Sequence, residues 1–216
     1  MSLLTIVLLG LAGYVLGSLP WGYWLSRVIT GTDIRRMGSS STGAANVWRT
    51  VGFKTSLAVA LLDIGKGSVA AALGLAVGGR WGAVVAGTGA LVGHWRPLFL
   101  GFKRGGKIVA TTVGVALVMA PLASVAVAIL WWAVLLATRY TSVASITSAL
   151  ALPALVLVFG GWWPEVLFTL GAAAAIVVLH RANIERLIHG TENRFTIHRP
   201  GGHRRAPTPV HDSSPR

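Results

Sequence analysis

Residues 108–138, IVATTVGVALVMAPLASVAVAILWWAVLLAT, decide the fold of this chain. The run is 31 residues long and uncharged, whereas one membrane helix needs about 17–25 apolar residues. Pro121 stands inside it. Proline lacks an N–H and clashes with the preceding turn, so two short helices broken near Pro121 compete with one tilted helix. Charge separates the two. Further apolar runs fall at 3–25, 55–77, 81–100, 142–160 and 163–180. Among the connections, loop 26–54 carries Arg27, Arg35, Arg36, Arg49 and Lys54, and the 96–107 stretch carries Arg96, Lys103, Arg104 and Lys107. Arg139 follows the long run, and seven arginines follow residue 180. If 108–138 is two helices, all of these share one side and only Arg80 lies opposite. If it is one, the Arg-rich end falls across the membrane from the basic loops. The positive-inside rule selects two helices, hence seven spans with the amino terminus outside and the carboxyl terminus cytoplasmic.

Composition agrees with an all-α polytopic membrane protein: 54% of residues are hydrophobic, 12% are charged, and the mean hydropathy is +0.68. The absence of cysteine excludes disulfides, thiolate metal sites and cysteine nucleophiles. The net charge of +13 gathers in loops and in the carboxyl-terminal part, which suits an anionic leaflet and an anionic substrate rather than nucleic acid. Residues 1–193 are expected to form one membrane domain. Residues 194–216, rich in Pro, Arg, Ser and His, are expected to be a disordered basic cytoplasmic tail. The start, Met-Ser-Leu-Leu-Thr-Ile, lacks the positive leader of a secretory signal, so the first apolar run is expected to be retained. Glycines 10, 13, 17, 87, 89 and 93 allow close helix packing in lipid.

Four polar constellations interrupt this apolar background. Loop 33–49 interleaves Ser39, Ser40, Ser41, Thr42, glycines, Asn46 and Arg49, a set suited to donating to phosphate oxygens or simply to a capped polar loop. Asp63 and Lys66 share one helix face inside a span, either as a self-neutralising pair or with Lys66 reaching toward a phosphate. His94 precedes the basic segment, able to accept a hydroxyl proton or to hold the loop. In that segment, Gly105-Gly106-Lys107 offers backbone N–H groups at close approach and a point charge, the chemistry of a phosphate site. Last, His180 and Asn183 share a face at the end of the final span, ahead of Arg186 and Glu192.

Together these segments resemble the PlsY family of bacterial membrane acyl-phosphate:glycerol-3-phosphate acyltransferases. Gly17-Ser18-Leu19-Pro20, Asp33-Ile34-Arg35, Gly38-Ser39 and Gly43-Ala44-x-Asn46-x-x-Arg49 follow its first motif. Asp63-x-x-Lys66-Gly67 follows its D-x-x-K-G. Gly93-His94-x-x-Pro97-x-Phe99, with Gly105-Gly106-Lys107 and Val109-Ala110-Thr111, follows the second. His180-x-x-Asn183-Ile184-x-Arg186-Leu187-x-x-Gly190-x-Glu192 follows the third. The chain departs from the pattern at Ser40-Ser41, where the family reads Gly-Asn, at Ala45, at Ile108, where it prefers glycine, and at Lys103-Arg104.

The resemblance implies transfer of a fatty acyl group from acyl phosphate to the sn-1 hydroxyl of glycerol-3-phosphate, the first step of phospholipid synthesis, in the bacterial cell membrane. Acyl phosphate and glycerol-3-phosphate would be the substrates and the bilayer the surroundings. No cofactor, metal, nucleic acid or obligate protein partner is expected. The expected catalytic set is Ser39, Arg49 and Lys107 on phosphate groups, His180 and Asn183 orienting the acceptor, and His94 polarising the hydroxyl or supporting a loop. Asn46, Lys66, Arg104, Gly105, Gly106, Thr111 and Glu192 are expected to bind substrate. The rival classes are an anion transporter and a non-catalytic lipid-binding protein. A transporter would want polar residues along several spans, whereas here they collect at one face.

Overall fold

The computed structural model describes residues 1–195; the part of the expected tail from 196 onward lies outside the described residues. Among the described residues there are nine α-helices and no strand. They are α1 (Leu3–Gly17), α2 (Trp21–Thr30), α3 (Ala44–Thr50), α4 (Phe53–Trp95), α5 (Val109–Met119), α6 (Pro121–Thr138), α7 (Thr141–Val158), α8 (Trp163–Leu179) and α9 (Arg181–Ile188). Four stretches are long and apolar enough to cross a membrane: Leu3–Thr30, Phe53–Leu100, Pro121–Thr138 and Thr141–Val158. The pair α8 and α9, bent by 55° at His180, makes a fifth if taken as one span.

The decisive run is broken where proline requires it. Ala120 leaves helical geometry (φ −145°, ψ 71°), and Pro121 opens α6 at a position whose N–H would have no intrahelical partner anyway. At 11 residues, α5 is short. The apolar stretch expected at 3–25 is continuous in composition but not in geometry. Helix α1 stops at Gly17, and Pro20 (φ −92°, ψ 66°) separates it from α2.

Helix α4 covers both runs expected at 55–77 and 81–100, and it is a hairpin. Gly78 and Gly79 leave the helix (Gly79 φ 61°, ψ −153°), a conformation glycine adopts without a Cβ penalty. The arms fold back so closely that a Cβ on Gly74 would collide with the Gly82 backbone. The second arm ends at Trp95, earlier than expected, because Arg96 and Pro97 turn the chain into a 3-10 turn at Leu98–Leu100.

Helix α1 packs along the second arm of α4 through glycines on both partners. Side chains at Gly13 or Gly17 would strike the carbonyls of Ala86 or Ala90, and ones at Gly89 or Gly93 would strike those of Gly10 or Tyr14. Lipid offers no hydrophobic drive between helices, so such close backbone approach supplies the dispersion that holds them. On the other side Gly67 and Gly114 bring α5 against the first arm of α4. Leu91, Ile108, Val115, Phe168 and Ile176 join α4, α5 and α8 in the largest apolar core.

The two ends of the bundle differ. At one end Met1 abuts Gly78, Arg80 pairs with the buried Glu165 of α8 and lies over the Trp162 ring, and Trp81 meets Trp163 edge-on at 4.8 Å. The other end carries loops 31–52 and 96–108, the 138–141 turn and α9, and with them the remaining described arginines and lysines except Lys66, which lies inside the first arm of α4.

Candidate functional site

The intramembrane charges form a closed structural unit. The Lys66 ammonium donates to His94 Nδ1 (2.8 Å) and the Leu19 carbonyl (3.0 Å) and forms an ion pair with Asp63 Oδ1 (2.8 Å). With its side chain 2% exposed and these three partners around it, the ammonium is enclosed in the protein and does not line the cavity between the two loops and α5–α9. Nδ1 of His94 must therefore accept, which assigns the neutral tautomer with hydrogen on Nε2. In this tautomer the His94 ring has no acceptor free for a hydroxyl proton, and it is the His94 carbonyl that receives the loop's Gly106 N–H. The unit ties both arms of α4 to the break after α1, where α1 itself ends.

The glycine pair also serves the loop. Gly105 N–H donates to the Trp95 carbonyl (2.9 Å) and Gly106 N–H to the His94 carbonyl (3.1 Å), so neither is free to cradle a phosphate as expected. Both glycines are required for space. A Cβ on Gly106 would sit on His94 Nε2, and one on Gly105 would strike the His94 carbonyl and Pro97. The donors without intrahelical partners lie just beyond, at the start of α5, whose N-cap Ile108 provides no side-chain hydrogen bond.

Asn46 organises the first loop. Its Oδ1 accepts from Ser39 N–H (2.9 Å), and its Nδ2 donates to the carbonyls of Ser41 (2.8 Å) and Met37 (3.1 Å). This fixes Ser39 between two residues with positive φ, Gly38 (54°) and Ser40 (56°). Thr42 N–H and the Ser41 hydroxyl then reach the Gly105 carbonyl at 3.4 and 3.5 Å, joining the two loops.

Between these loops and α5–α9 lies a cavity of about 390 Å³. Ser39, Arg49, His94, Lys107, His180 and Asn183, the whole expected catalytic set, line it. Lys107 Nζ donates to Asn183 Oδ1, and Asn183 Nδ2 donates to Glu192 Oε1 (2.7 Å), so the amide orientation is dictated at both ends. Glu192 is buried; it also accepts from Ser142 Oγ (2.9 Å) and Arg186 Nε (2.7 Å). Arg49 Nε donates to the Ala45 carbonyl (3.0 Å), and its terminal nitrogens make no hydrogen bond among the described residues. His180 gives its Nδ1 hydrogen to the Ile176 carbonyl (2.8 Å), which leaves Nε2 as an acceptor.

The electrostatics favour an anion. Burial pushes the Lys107 ammonium down to about 8; Glu192 opposes this, while Arg104, Arg186 and Arg49 add to it. Burial likewise lowers the Arg49 guanidinium. Burial works to raise the Glu192 carboxyl, but the hydrogen bonds from Asn183, Ser142 and Arg186 outweigh it and keep it below the usual carboxylate range. A phosphate beside Arg49 and Lys107 would relieve their mutual repulsion. Away from this end the cavity wall becomes apolar, with Leu61, Ile64, Val113, Val127, Trp131 and Leu152.

The expected substrate-binding set fares differently. Asn46 reaches the cavity, but its amide is committed to the loop backbone. Lys66, Gly105, Gly106 and Glu192 stand behind the lining, each spent on an internal partner. Arg104 is exposed, and Thr111 is buried against Gly67. Sequence reasoning missed Trp48, Ser142 and Phe195. A hydroxyl on α7 and single aromatics beside loops carry no motif, and only the fold brings them to the site. Among the described residues no three His, Cys, Asp or Glu side chains offer a metal ligand set.

Comparison with known proteins bears on this arrangement. Residues 7–190 match the family described as glycerol-3-phosphate acyltransferase. The chain is 46% identical over 192 residues to a glycerol-3-phosphate acyltransferase of Synechococcus sp. (strain JA-3-3Ab), covering 89% of this chain and 94% of that protein. It is 45% identical over 197 residues to one from Desulforudis audaxviator (strain MP104C), covering 91% and 99%. The fold is similar to the crystal structure of PlsY (YgiH), an integral membrane glycerol 3-phosphate acyltransferase, in its glycerol 3-phosphate form. The TM-score is 0.83 at 34% identity, over 88% of this chain and 96% of that one. The lysophosphatidic acid form gives 0.81 at 32% identity, over 88% and 95%.

Proposed function

The chain belongs to the glycerol-3-phosphate acyltransferase family, and on that footing we propose that it moves a fatty acyl group from acyl phosphate to the sn-1 hydroxyl of glycerol-3-phosphate. The products are lysophosphatidic acid and inorganic phosphate. One observation carries this reading: a single cavity joins a cationic mouth, with Arg49 and Lys107, to an apolar trough between helices. A donor with a phosphate head on a fatty chain has the same division.

In the proposed reaction the sn-1 oxygen attacks the acyl carbon and forms the ester bond. The bond between the acyl carbon and the bridging phosphate oxygen breaks, and the departing phosphate takes the hydroxyl proton. Arg49, Lys107 and Ser39 hold phosphate groups, while Asn183 and His180 Nε2 orient the hydroxyl. Holding the hydroxyl about 3–3.5 Å from the acyl carbon supplies roughly 7–11 kcal/mol of barrier lowering. The cations stabilise charge as it collects on the leaving phosphate.

We also propose seven crossings, by α1, the two arms of α4, α5, α6, α7 and α8, with the amino terminus outside and the site at the cytoplasmic face. Residues 1–195 belong to the enzyme domain in this scheme, two beyond the expected boundary at 193, because Phe195 is buried against Trp48, Leu135 and Ala144.

The test is incubation of detergent-purified protein with palmitoyl phosphate and glycerol-3-phosphate, scoring inorganic phosphate and lysophosphatidic acid together. Equal release of both is expected, with no product from palmitoyl-CoA. Turnover of palmitoyl-CoA alone, or no lipid product, refutes the proposal.

A further inference from the structure

The chain just after α9 touches both halves of the cationic mouth. Glu192 holds Asn183, which receives the Lys107 hydrogen bond. Three residues on, Phe195 N–H donates to the Arg139 carbonyl (2.6 Å), and Arg194 Nε donates to the Tyr140 hydroxyl (3.0 Å). The Phe195 ring is buried beside Leu135 and Ala144, edge-on to Trp48 with ring centroids 4.2 Å apart. Trp48 is the residue before Arg49, and Phe53 supports its ring at 4.9 Å.

The short helix α3, which carries Arg49, packs mainly on α4. Lys107 belongs to the loop before α5, and Asn183 to α9. Among the described residues, two links bridge these parts. One is the long pair of hydrogen bonds from Ser41 and Thr42 to Gly105. The other is the segment 191–195, with Glu192 at one anchor and Phe195 at the other.

We propose that residues 191–195 form a strap in which Phe195 is a positioning residue: through Trp48 it sets the separation of Arg49 from Lys107, and so the fit of the mouth to a phosphate group. The inference rests on the phosphate-handling role proposed above. Phe195 touches no substrate in this account. A ring at 195 is needed because a smaller side chain lets Trp48 settle toward Ala144 and carries Arg49 with it.

The test compares full-length wild type with Phe195→Ala, Phe195→Leu and Phe195→Tyr, titrating each with inorganic phosphate by calorimetry and assaying acyl transfer. Phe195→Ala should weaken phosphate binding roughly fivefold, equivalent to about 1 kcal/mol. Phe195→Leu, which still fills the site, should fold and weaken it less, and Phe195→Tyr should bind within about twofold of wild type. Transfer should follow phosphate affinity across the four proteins rather than their melting temperatures. Unchanged affinity in both Phe195→Ala and Phe195→Leu overturns the strap and leaves the reaction standing. So does activity that tracks melting temperature alone. A wild type that binds phosphate but transfers nothing refutes the reaction, while the affinities still decide the strap.

Discussion

Replacing Lys107 by alanine separates catalysis from folding in this protein. The ammonium is half-buried, bonded to Asn183 Oδ1, with Glu192 attracting it and Arg49, Arg104 and Arg186 repelling it. Its removal relieves repulsion in the fold but takes a placed charge from the leaving phosphate. Losing one such donor costs about 10²–10³ in kcat, about 2.7–4 kcal/mol of transition-state stabilisation. The same group makes pH informative. With Lys107 lowered to about 8, kcat/KM should fall as pH rises through that value, and at pH 9 only about a tenth of the free enzyme keeps the charge. Stability should move the other way. Between about 8 and the unfolded lysine value of about 10.4 the unfolded chain holds the proton that the folded chain has lost, so the cost of burying a charged Lys107 fades and stability rises with pH. Phosphate release from palmitoyl phosphate and thermal melts, both across roughly pH 6.5–11, which brackets the two values, give the readout. Transfer by Lys107→Ala within about fivefold of wild type, or an alkaline fall of kcat/KM that survives its loss, would refute this role for Lys107.

Lys66→Met should strand the buried Asp63 carboxylate and cost about 3–5 kcal/mol, seen as a lower melting temperature; adding Asp63→Leu should recover most of it. Ser40→Gly should raise stability by about 0.5–1 kcal/mol in thermal melts, because Ser40 is exposed and holds φ 56°. Ile108→Gly should lower stability despite φ 60°, since the Ile108 side chain is buried in the α4–α5–α8 core and its loss outweighs the relief; a higher melting temperature would contradict this. Gly93→Val should drive a branched side chain into the Tyr14 carbonyl, part α1 from α4 and cost more than about 3 kcal/mol, checked by size-exclusion profile and melting.

The layout of the bundle was largely legible because membrane chains expose their constraints. Pro121 and the distribution of arginines pointed to two helices in 108–138, and the break at Ala120 agrees. The interruption at Pro20 was hidden by uninterrupted apolar composition, since a hydropathy count does not register a missing N–H. The lining residues were legible because polar side chains are costly beside lipid and stand out there. The supporting residues were not. Lys66 and the N–H groups of Gly105 and Gly106 look like phosphate donors until the fold supplies Asp63, His94 and Trp95 to use them. Ile108 and Ser40, departures from the family pattern, take positive φ, the conformation that explains a glycine preference there. Phe195 has no periodicity or motif to announce it; its partners Trp48 and Ala144 are distant in sequence.

The claim that cations from separate segments meet on one anion is most directly tested by a double-mutant cycle on Arg49 and Lys107, reading inorganic phosphate binding by calorimetry. Each single alanine variant should weaken binding, and the pair should depart from additivity by about 1 kcal/mol or more, as expected when two groups share one ligand. Losses that simply add, or phosphate bound as tightly without either side chain, would contradict it.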